Sequence, residues 1–122
     1  MSHVVEIDTE VRDPVAAAAA CRRLGLPAPA HGTAALFNGE ATGLLVMLPG
    51  WLYPVAADTA TGALRYDNYG GRWGDPAHLG RFLQAYGVEK AKIEARKRGY
   101  AATEQALADG SIRLAIRVGG AA

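Results

Sequence analysis

Two Asp-Pro dipeptides divide this sequence, because each is followed by a helical pattern of apolar residues. A carboxylate can accept hydrogen bonds from the free N–H groups at a helix start, and proline is favoured at the first helical position. Asp13-Pro14 opens an alanine-rich stretch that runs to Leu24. Gly25 then supplies the residue type that closes a helix in the left-handed conformation. These signals predict a first helix over residues 14–24.

The second dipeptide, Asp75-Pro76, opens a longer pattern. One helical face carries apolar residues at the i, i+3, i+4, i+7 spacing, namely Leu79, Phe82, Leu83 and Tyr86. Gly87 lies inside the pattern and Gly99 ends it. Because glycine costs about 1 kcal/mol relative to alanine in a helix interior, we expect Gly87 to bend or divide the helix. The pattern predicts a second helix over residues 76–98.

The remaining stretches alternate with a period of two, which is typical of strands. A first strand is predicted over residues 3–11. Asn38-Gly39 and Thr61-Gly62 each predict a turn between two further strands, and the second pair covers residues 51–57 and 63–68. The run 44–48 is uniformly apolar. We expect it to be a central strand or one covered on both faces, with the cover supplied by a helix of the same chain or by a second subunit.

The last two strands are predicted on either side of Asp109-Gly110, which favours a two-residue hairpin turn. Apolar residues alternate with Ser111, Ala115 and two arginines in the final strand: Ile112, Leu114, Ile116 and Val118. If Ala108 pairs with Ser111, then Leu107 lies opposite Ile112. In that register Glu104 falls on the outer face, between Arg113 and Arg117.

The predicted order is therefore β-α-β-β-β-β-α-β-β, within a single domain over residues 1–122. Each helix and each sheet has one apolar face to bury. The predicted class is α+β, with two helices packed on one face of a mostly antiparallel sheet. A ferredoxin-like fold or a related two-layer sandwich satisfies this description.

Charge and residue usage exclude several classes of protein. Lys and Arg number 13 against 12 Asp and Glu, which lacks the strongly basic balance of a typical nucleic-acid binder. Cys21 is the only cysteine, which excludes an internal disulfide and fits a reducing compartment. No stretch approaches the roughly 18 apolar residues of a membrane span, and the first residues lack a signal-peptide layout. We therefore expect a cytoplasmic protein.

No metal, cofactor or catalytic motif is predicted. His3, His31 and His78 are isolated in the sequence, without the paired spacing of zinc ligands. No nucleophile motif or obvious carboxylate pair is present. Cys21 lies near a helix C-terminus, where the helix dipole raises the pKa of a thiol, so it is interpreted as an inert packing residue.

Three stretches carry a resemblance to a known family. They are YDNYGGRWGDPAHLGRFLQAYGVEKAKIEARKRGY at 66–100, ADGSIRLAIRV at 108–118 and MSHVVEIDTEVRDPVA at 1–16. Together they resemble the bacterial and plastid family called hypothetical chloroplast reading frame thirty-five, also known as domain of unknown function twelve fifty-seven. That family has no established activity, so the resemblance implies no catalytic residues. Its members are often encoded near an AAA-type ATPase, which the resemblance implies as a partner.

The segment 66–76 is the most unusual in composition and is the predicted working surface. Tyrosine, arginine and tryptophan dominate binding hot spots, because they offer a large contact area and few rotamers. The predicted partner-binding residues are Tyr69, Arg72, Trp73, His78, Trp51 and Tyr53. The alternative is that Trp73 and Tyr66 fill the core while the glycines turn the chain.

A phosphate-binding interpretation of this segment is disfavoured. Gly70-Gly71 and Gly74 precede a helix N-terminus, which attracts anions. Asp75 would place its own carboxylate on the free N–H groups, and Pro76 removes one donor. The motif also matches neither the phosphate-binding loop nor the dinucleotide fingerprint.

The second helix is basic towards its end. The candidate basic residues are Lys90, Lys92, Arg96, Lys97, Arg98, Arg113 and Arg117. Because those on the helix are spread around it, they are interpreted mainly as a solvated face with i,i+4 ion pairs. An acidic partner or a nucleic acid is the alternative.

Three functions are compatible with these features. The leading hypothesis is a non-catalytic interaction module that binds a protein through the loop 66–76. The second is a small-molecule binder or enzyme with a pocket between the second helix and the sheet. The third is a nucleic-acid binder that uses the basic helix 88–98.

Overall fold

A computed structural model describes the backbone of residues 4–7 and the whole of residues 10–117. The described residues form two helices, α1 (Pro14–Leu24) and α2 (Pro76–Lys97). The strands are β1 (Val4–Ile7), β2 (Ala30–Leu36), β3 (Gly39–Val46), β4 (Val55–Ala57), β5 (Leu64–Asp67), β6 (Ala101–Ala106) and β7 (Ile112–Arg117). The α+β class and the predicted order of helices and strands are confirmed.

Five strands form the main sheet in the order β1-β5-β4-β3-β2, and every neighbouring pair is antiparallel. The edge strands β1 and β2 therefore run in the same direction, and α1 connects them across one face. In a ferredoxin-like fold, a split βαβ unit places one antiparallel strand between the two strands that its helix connects. Here three strands, β5, β4 and β3, lie between β1 and β2, so the fold is the related two-layer sandwich.

The core lies between the sheet and both helices. Alternate residues of the strands point towards α1 and α2, among them Leu44 and Val46 of β3 and Leu64 of β5. Phe82 of α2 is fully buried at this interface. Leu44, Val46 and Leu48 of the apolar run 44–48 are thus covered by helices of the same chain, the first of the two options that the sequence left open, whereas Met47 is 41 % exposed.

Local signals position both helices. The Oδ1 atom of Asp13 accepts hydrogen bonds from the N–H groups of Val15 (2.9 Å) and Ala16 (3.3 Å). At the other end Gly25 has φ of 71°, and the predicted helix bounds are confirmed. In α2, Asp75 accepts a bond from Ala77 N at 2.9 Å. Gly87 does not divide α2, because the packing of the apolar face outweighs the low helix propensity of one glycine.

Two predicted strands are shorter in the structure. β4 begins at Val55 and not at residue 51, because Trp51 N donates to Leu48 O (3.2 Å) and Leu52 N donates to Trp73 O (2.8 Å). The first bond closes a turn and the second joins Leu52 to the segment after β5, so neither N–H group is available to a β-ladder. β1 covers residues 4–7 of the predicted 3–11. Residues 3, 8, 9 and 118 lie outside the described residues.

The C-terminal hairpin forms a separate two-stranded sheet that packs against α2. Leu107 N donates to Ser111 O at 2.9 Å, and Glu104 lies opposite Leu114. The turn therefore has three residues, with Gly110 at φ of 88°, and the predicted register is wrong by one residue. Because such a shift moves every side chain to the other face, Glu104 points away from Arg113 and Arg117.

Candidate interaction surface

Three aromatic rings lie around that of Trp73. Its ring centroid lies 4.6 Å from that of Tyr69, 5.1 Å from that of Phe37 and 5.8 Å from that of Tyr53. These separations are typical of favourable aromatic pairs. The guanidinium carbon of Arg72 lies 5.2 Å from the Tyr69 ring centroid, in reach of a cation–π interaction. We call these five residues the aromatic patch.

The patch is assembled from three separate turns. Phe37 lies in the turn between β2 and β3, Tyr53 precedes β4, and the other three follow β5. The β2–β3 hairpin brings Phe37 to the rest by bending over the sheet. A flat strand as long as β3 would hold its ends roughly 25 Å apart. The bend is also indicated by Arg65, whose Nη1 donates to Glu40 O at 3.3 Å.

A glycine pair marks the place where the hairpin can bend. Gly32 and Gly43 lie directly opposite each other in the β2–β3 ladder. A Cβ atom on Gly43 would come within 2.9 Å of the carbonyl carbon of Ala57. Glycine in a strand interior commonly accompanies a bend or a close backbone approach. The hairpin bends at these glycines, and Gly43 lies close to the backbone of Ala57. The bend in turn positions Phe37 over the sheet.

A small second cluster supports the patch on the sheet face away from the helices. Leu36, Ala41 and Ala56 are buried there, and Leu45 and Tyr53 pack against them. Tyr53 contacts both this cluster and Trp73. The rings of the patch therefore rest on an anchored base and not on a free loop.

The chain after β5 is held tightly where it presents Tyr69 and Trp73. Asn68 O accepts hydrogen bonds from Gly71 N (3.0 Å) and Trp73 N (2.9 Å), and its side-chain amide donates to Gly74 O (3.3 Å). Tyr69 adopts a left-handed conformation with φ of 48°. This conformation is uncommon for a residue with a β-carbon and costs on the order of 1 kcal/mol. Strain of this kind persists only where surrounding contacts maintain it.

A buried carboxylate lies beneath this turn. Asp67 is fully buried, and its Oδ1 accepts a hydrogen bond from Tyr69 N at 3.3 Å. Its Oδ2 has no hydrogen-bond partner among the described residues. The Oδ1 bond fixes the backbone of Tyr69, so Asp67 positions the ring of Tyr69 in the patch.

The structure places Trp51 in the core, so its assignment to the binding surface was wrong. Trp51 is 6 % exposed and packs edge-on against Tyr66, with ring centroids 5.4 Å apart. Its indole N–H donates to Asp75 O at 3.1 Å. Of the two aromatics that the alternative interpretation placed in the core, Tyr66 is buried there and Trp73 is half-buried in the patch.

Phe37 is the patch member that the sequence did not reveal. It is 55 % exposed and lies more than thirty residues from Tyr69 and Trp73 in the chain. A large apolar residue directly before the Asn38-Gly39 turn was the available signal. That signal does not say which surface the turn reaches.

His78 lies apart from the patch. It is half-buried in the first turn of α2, where its Nδ1 is 3.1 Å from Nη1 of Arg81. Both residues line a cavity of about 220 Å³, which Leu24, Leu26 and Pro49 complete. This cavity lies between the end of α1, the loop after β3 and the start of α2. It is therefore not the pocket between α2 and the sheet that was predicted.

The predicted basic residues do not form one continuous surface. Lys90 pairs with Asp13 at 3.1 Å, Lys92 with Glu104 at 3.0 Å, and Lys97 with Glu94 at 3.6 Å. Arg96 and Arg98 are exposed at the end of α2. Arg113 and Arg117 alternate with Leu114 and Ile116, on the hairpin face opposite Glu104.

Ion pairs change the titration of several of these groups. Hydrogen bonds from Arg23 and Lys92 lower the pKa of Glu104 to about 2. Burial raises the pKa of Asp13, but bonds from Lys90 and from two backbone N–H groups outweigh it and lower that pKa overall. The bond to Asp13 raises the pKa of Lys90. These lysines thus hold helices and hairpin together.

Metal and membrane sites have no support in the described part of the chain. Residues 4–7 and 10–117 contain no group of three or more His, Cys, Asp or Glu side chains that could hold a metal ion. No helix in these residues is long and apolar enough to cross a membrane. Cys21 is buried, and this burial raises the pKa of its thiol.

No family model, curated protein or solved structure matches this chain. Membership of the hypothetical chloroplast reading frame thirty-five family therefore stays a prediction from the quoted stretches.

Proposed function

We propose that this protein is a non-catalytic interaction module that binds a protein partner through the aromatic patch. The observation that carries the proposal is the convergence of Phe37, Tyr53, Tyr69, Arg72 and Trp73 from three turns onto one surface. Tyrosine, tryptophan and arginine are the residue types that contribute most to binding at protein interfaces.

The surroundings of the patch extend its apolar area. Leu52 is 58 % exposed, and its N–H group is bonded to the carbonyl of Trp73. Exposed apolar surface that is rimmed by polar residues is typical of interaction sites. Arg72 is exposed at the edge, where it could pair with a carboxylate of the partner. We therefore expect a partner surface with an apolar centre and an acidic residue at its rim.

The first partner to test is an AAA-type ATPase, on the family resemblance alone. The experiment measures co-purification of that ATPase with wild-type protein and with Phe37→Ser and Arg72→Ala variants. We expect recovery to fall at least about tenfold for Phe37→Ser, since truncating a hot spot costs roughly 2 kcal/mol or more. Arg96→Ala, an exposed change on the far end of α2, is the matched control. Equal recovery by all folded variants would contradict the proposal.

A second candidate function is supported by the cavity beside His78. Its walls are formed by Leu24, Leu26 and Pro49, so it could hold a small apolar group. A thermal-shift screen tests this candidate, because a ligand at 100 times its Kd stabilises the folded state by about 2.7 kcal/mol. No stabilisation by nucleotides or common metabolites would count against it. We place enzyme activity behind simple binding, since His78 is the one lining residue that could act as a nucleophile or base, and its Nδ1 is bonded to Arg81.

Nucleic-acid binding through the basic helix 88–98 has weaker support. Three of its lysines already pair with carboxylates, so fewer charges remain for phosphates. If it binds, the binding constant must fall steeply with salt concentration, because phosphate contacts release counterions. A salt-independent constant would dismiss this role.

Location and assembly state are proposed from the same features. We propose a cytoplasmic location, since a buried free thiol such as Cys21 fits a reducing compartment. Cell fractionation of the tagged protein tests it. A homo-oligomer through the aromatic patch is the alternative to a different partner, and light scattering at several concentrations distinguishes the two.

A further inference from the structure

We infer that the cavity beside His78 binds a small apolar group that carries one carboxylate, which pairs with Arg81. This inference rests on the second candidate function and names its ligand class. It does not depend on the aromatic patch. The ligand could be a free short-chain acid or the last residue of a peptide, because both present the same chemistry.

The size of the cavity limits what it can hold. Its volume is about 220 Å³, which is below the roughly 300–1,000 Å³ of pockets that enclose drug-sized ligands. Leu24, Leu26 and Pro49 form the apolar wall. The space therefore suits one branched aliphatic chain or a small ring, and it is too small for a nucleotide.

Arg81 is the charged group at the mouth of the cavity. Among residues 10–117, its guanidinium has a hydrogen bond to His78 Nδ1 at 3.1 Å and no carboxylate within ion-pair distance. A guanidinium can only donate, so Nδ1 is the acceptor and the imidazole proton lies on Nε2. His78 thus holds one side of the guanidinium and leaves its other N–H groups for a ligand. In contrast, Arg23 on α1 is already occupied by Glu89 and Glu104.

These features favour a monocarboxylate over other ligands. The planar guanidinium matches a carboxylate with two parallel hydrogen bonds. A dianion would leave one charge uncompensated, since Arg81 is the one cationic side chain among the residues that line the cavity. The helix end itself is not the anion site, because Asp75 already accepts from Ala77 N there.

The test is an NMR titration of isotope-labelled full-length protein with isocaproate and with its neutral isostere isocaproamide. We expect isocaproate to shift the methyl signals of Leu24 and Leu26 saturably, and the amide to bind at least about tenfold more weakly. Arg81→Gln should lower the affinity for isocaproate by at least about tenfold. Arg81→Lys should lower it by less, because lysine keeps the positive charge but cannot donate two parallel hydrogen bonds. Arg96→Gln on the same helix is the matched control and should bind like wild type.

A further arm identifies the source of the carboxylate. N-acetyl-glycyl-leucine is titrated with a free and with an amidated C-terminus. Tighter binding of the free-ended peptide than of isocaproate assigns the site to a chain end, and the reverse order assigns it to a free acid. Either result supports the inference.

Three results would overturn it: no saturable shift up to about 10 mM ligand, equal affinity for isocaproate and isocaproamide, or no effect of Arg81→Gln in a folded variant. If these occur while the thermal-shift screen finds another ligand, the ligand class is wrong and the second candidate function survives. If that screen also finds nothing, both fail.

Discussion

The indole ring of Trp51 lies directly against the backbone of Gly74. A Cβ atom at Gly74 would come within 2.6 Å of Cε2 and 2.7 Å of Cγ of that ring. The same ring donates from its N–H group to the carbonyl of Asp75 at 3.1 Å. Trp51 therefore fixes the segment that carries the aromatic patch from beneath, and the absence of a side chain at Gly74 permits this contact.

Gly74→Ala is expected to destabilise the protein by about 1–3 kcal/mol, because the added methyl group overlaps a buried ring that cannot move freely. Urea denaturation followed by far-UV circular dichroism measures the change. The matched control is Gly80→Ala in α2, where a Cβ atom would meet nothing within 4 Å. That change should stabilise by up to about 1 kcal/mol, since alanine is the better helix former. Equal effects of the two would show that Gly74 is not needed for packing.

Tyr86→Phe is expected to destabilise the protein by about 1–2 kcal/mol. The Tyr86 hydroxyl accepts hydrogen bonds from the backbone N–H groups of Arg12 and Asp13, each at 3.1 Å. Its loss leaves two donors without their acceptor at the start of α1. Tyr100→Phe, which removes a hydroxyl without a protein partner among the described residues, should change stability by less than about 0.5 kcal/mol. The urea denaturation midpoints of the two variants, compared with that of the wild type, test this difference in stability.

Glu104→Gln is expected to lower stability at neutral pH but not in acid. Hydrogen bonds from Arg23 and Lys92 hold the pKa of Glu104 at about 2, below its ordinary 4.5. For a carboxyl with a depressed pKa, the stabilisation is complete above the ordinary value and is lost as pH falls through the lower one. Because the group is exposed, we expect only about 1 kcal/mol.

Urea denaturation at several values between about pH 7 and pH 2 measures this difference, which should shrink towards zero in the most acidic samples and also in high salt. Glu40→Gln is the control, since Glu40 is exposed and has no ion pair within the described residues. A wild-type advantage that persists at about pH 2 would contradict the assignment.

Cys21 is expected to be unreactive in the folded protein. It is fully buried in the main core, and this burial raises the pKa of its thiol. Since the thiolate is the reactive form, a thiol reagent at about pH 8 should modify native protein at least about a hundredfold more slowly than urea-unfolded protein. Comparable rates would show that the core around α1 opens readily.

Helices and turns could be predicted from the sequence because their signals are local. The carboxylates of Asp13 and Asp75 act on N–H groups two or three residues away, and Gly25 acts on the turn just before it. The hairpin turn was found for the same reason. The register of the hairpin could not be predicted, because Asp109-Gly110 fits both a two-residue and a three-residue turn. The structure has the three-residue turn, which places Glu104 on the side of Arg23 and Lys92.

The candidate site could be predicted only in part. Tyr69, Arg72 and Trp73 are close in the chain, so their shared surface follows from a single turn. Tyr53 and Trp51 are two residues apart, yet one supports the patch and the other fills the core. Their separation depends on the turn closed by Trp51 N and Leu48 O, and on the hydrogen bond from Leu52 N to Trp73 O in another segment.

The sequence by itself determined the two helices, the α+β class and the aromatic composition of the segment after β5, since these depend on capping, periodicity and residue type. The tertiary structure decided that Trp51 is core, that Phe37 joins Trp73, and that His78 faces a cavity with Arg81. These outcomes rest on contacts between residues far apart in the chain. Such contacts depend on how sheet, helices and bent hairpin pack together, and no local pattern encodes that packing.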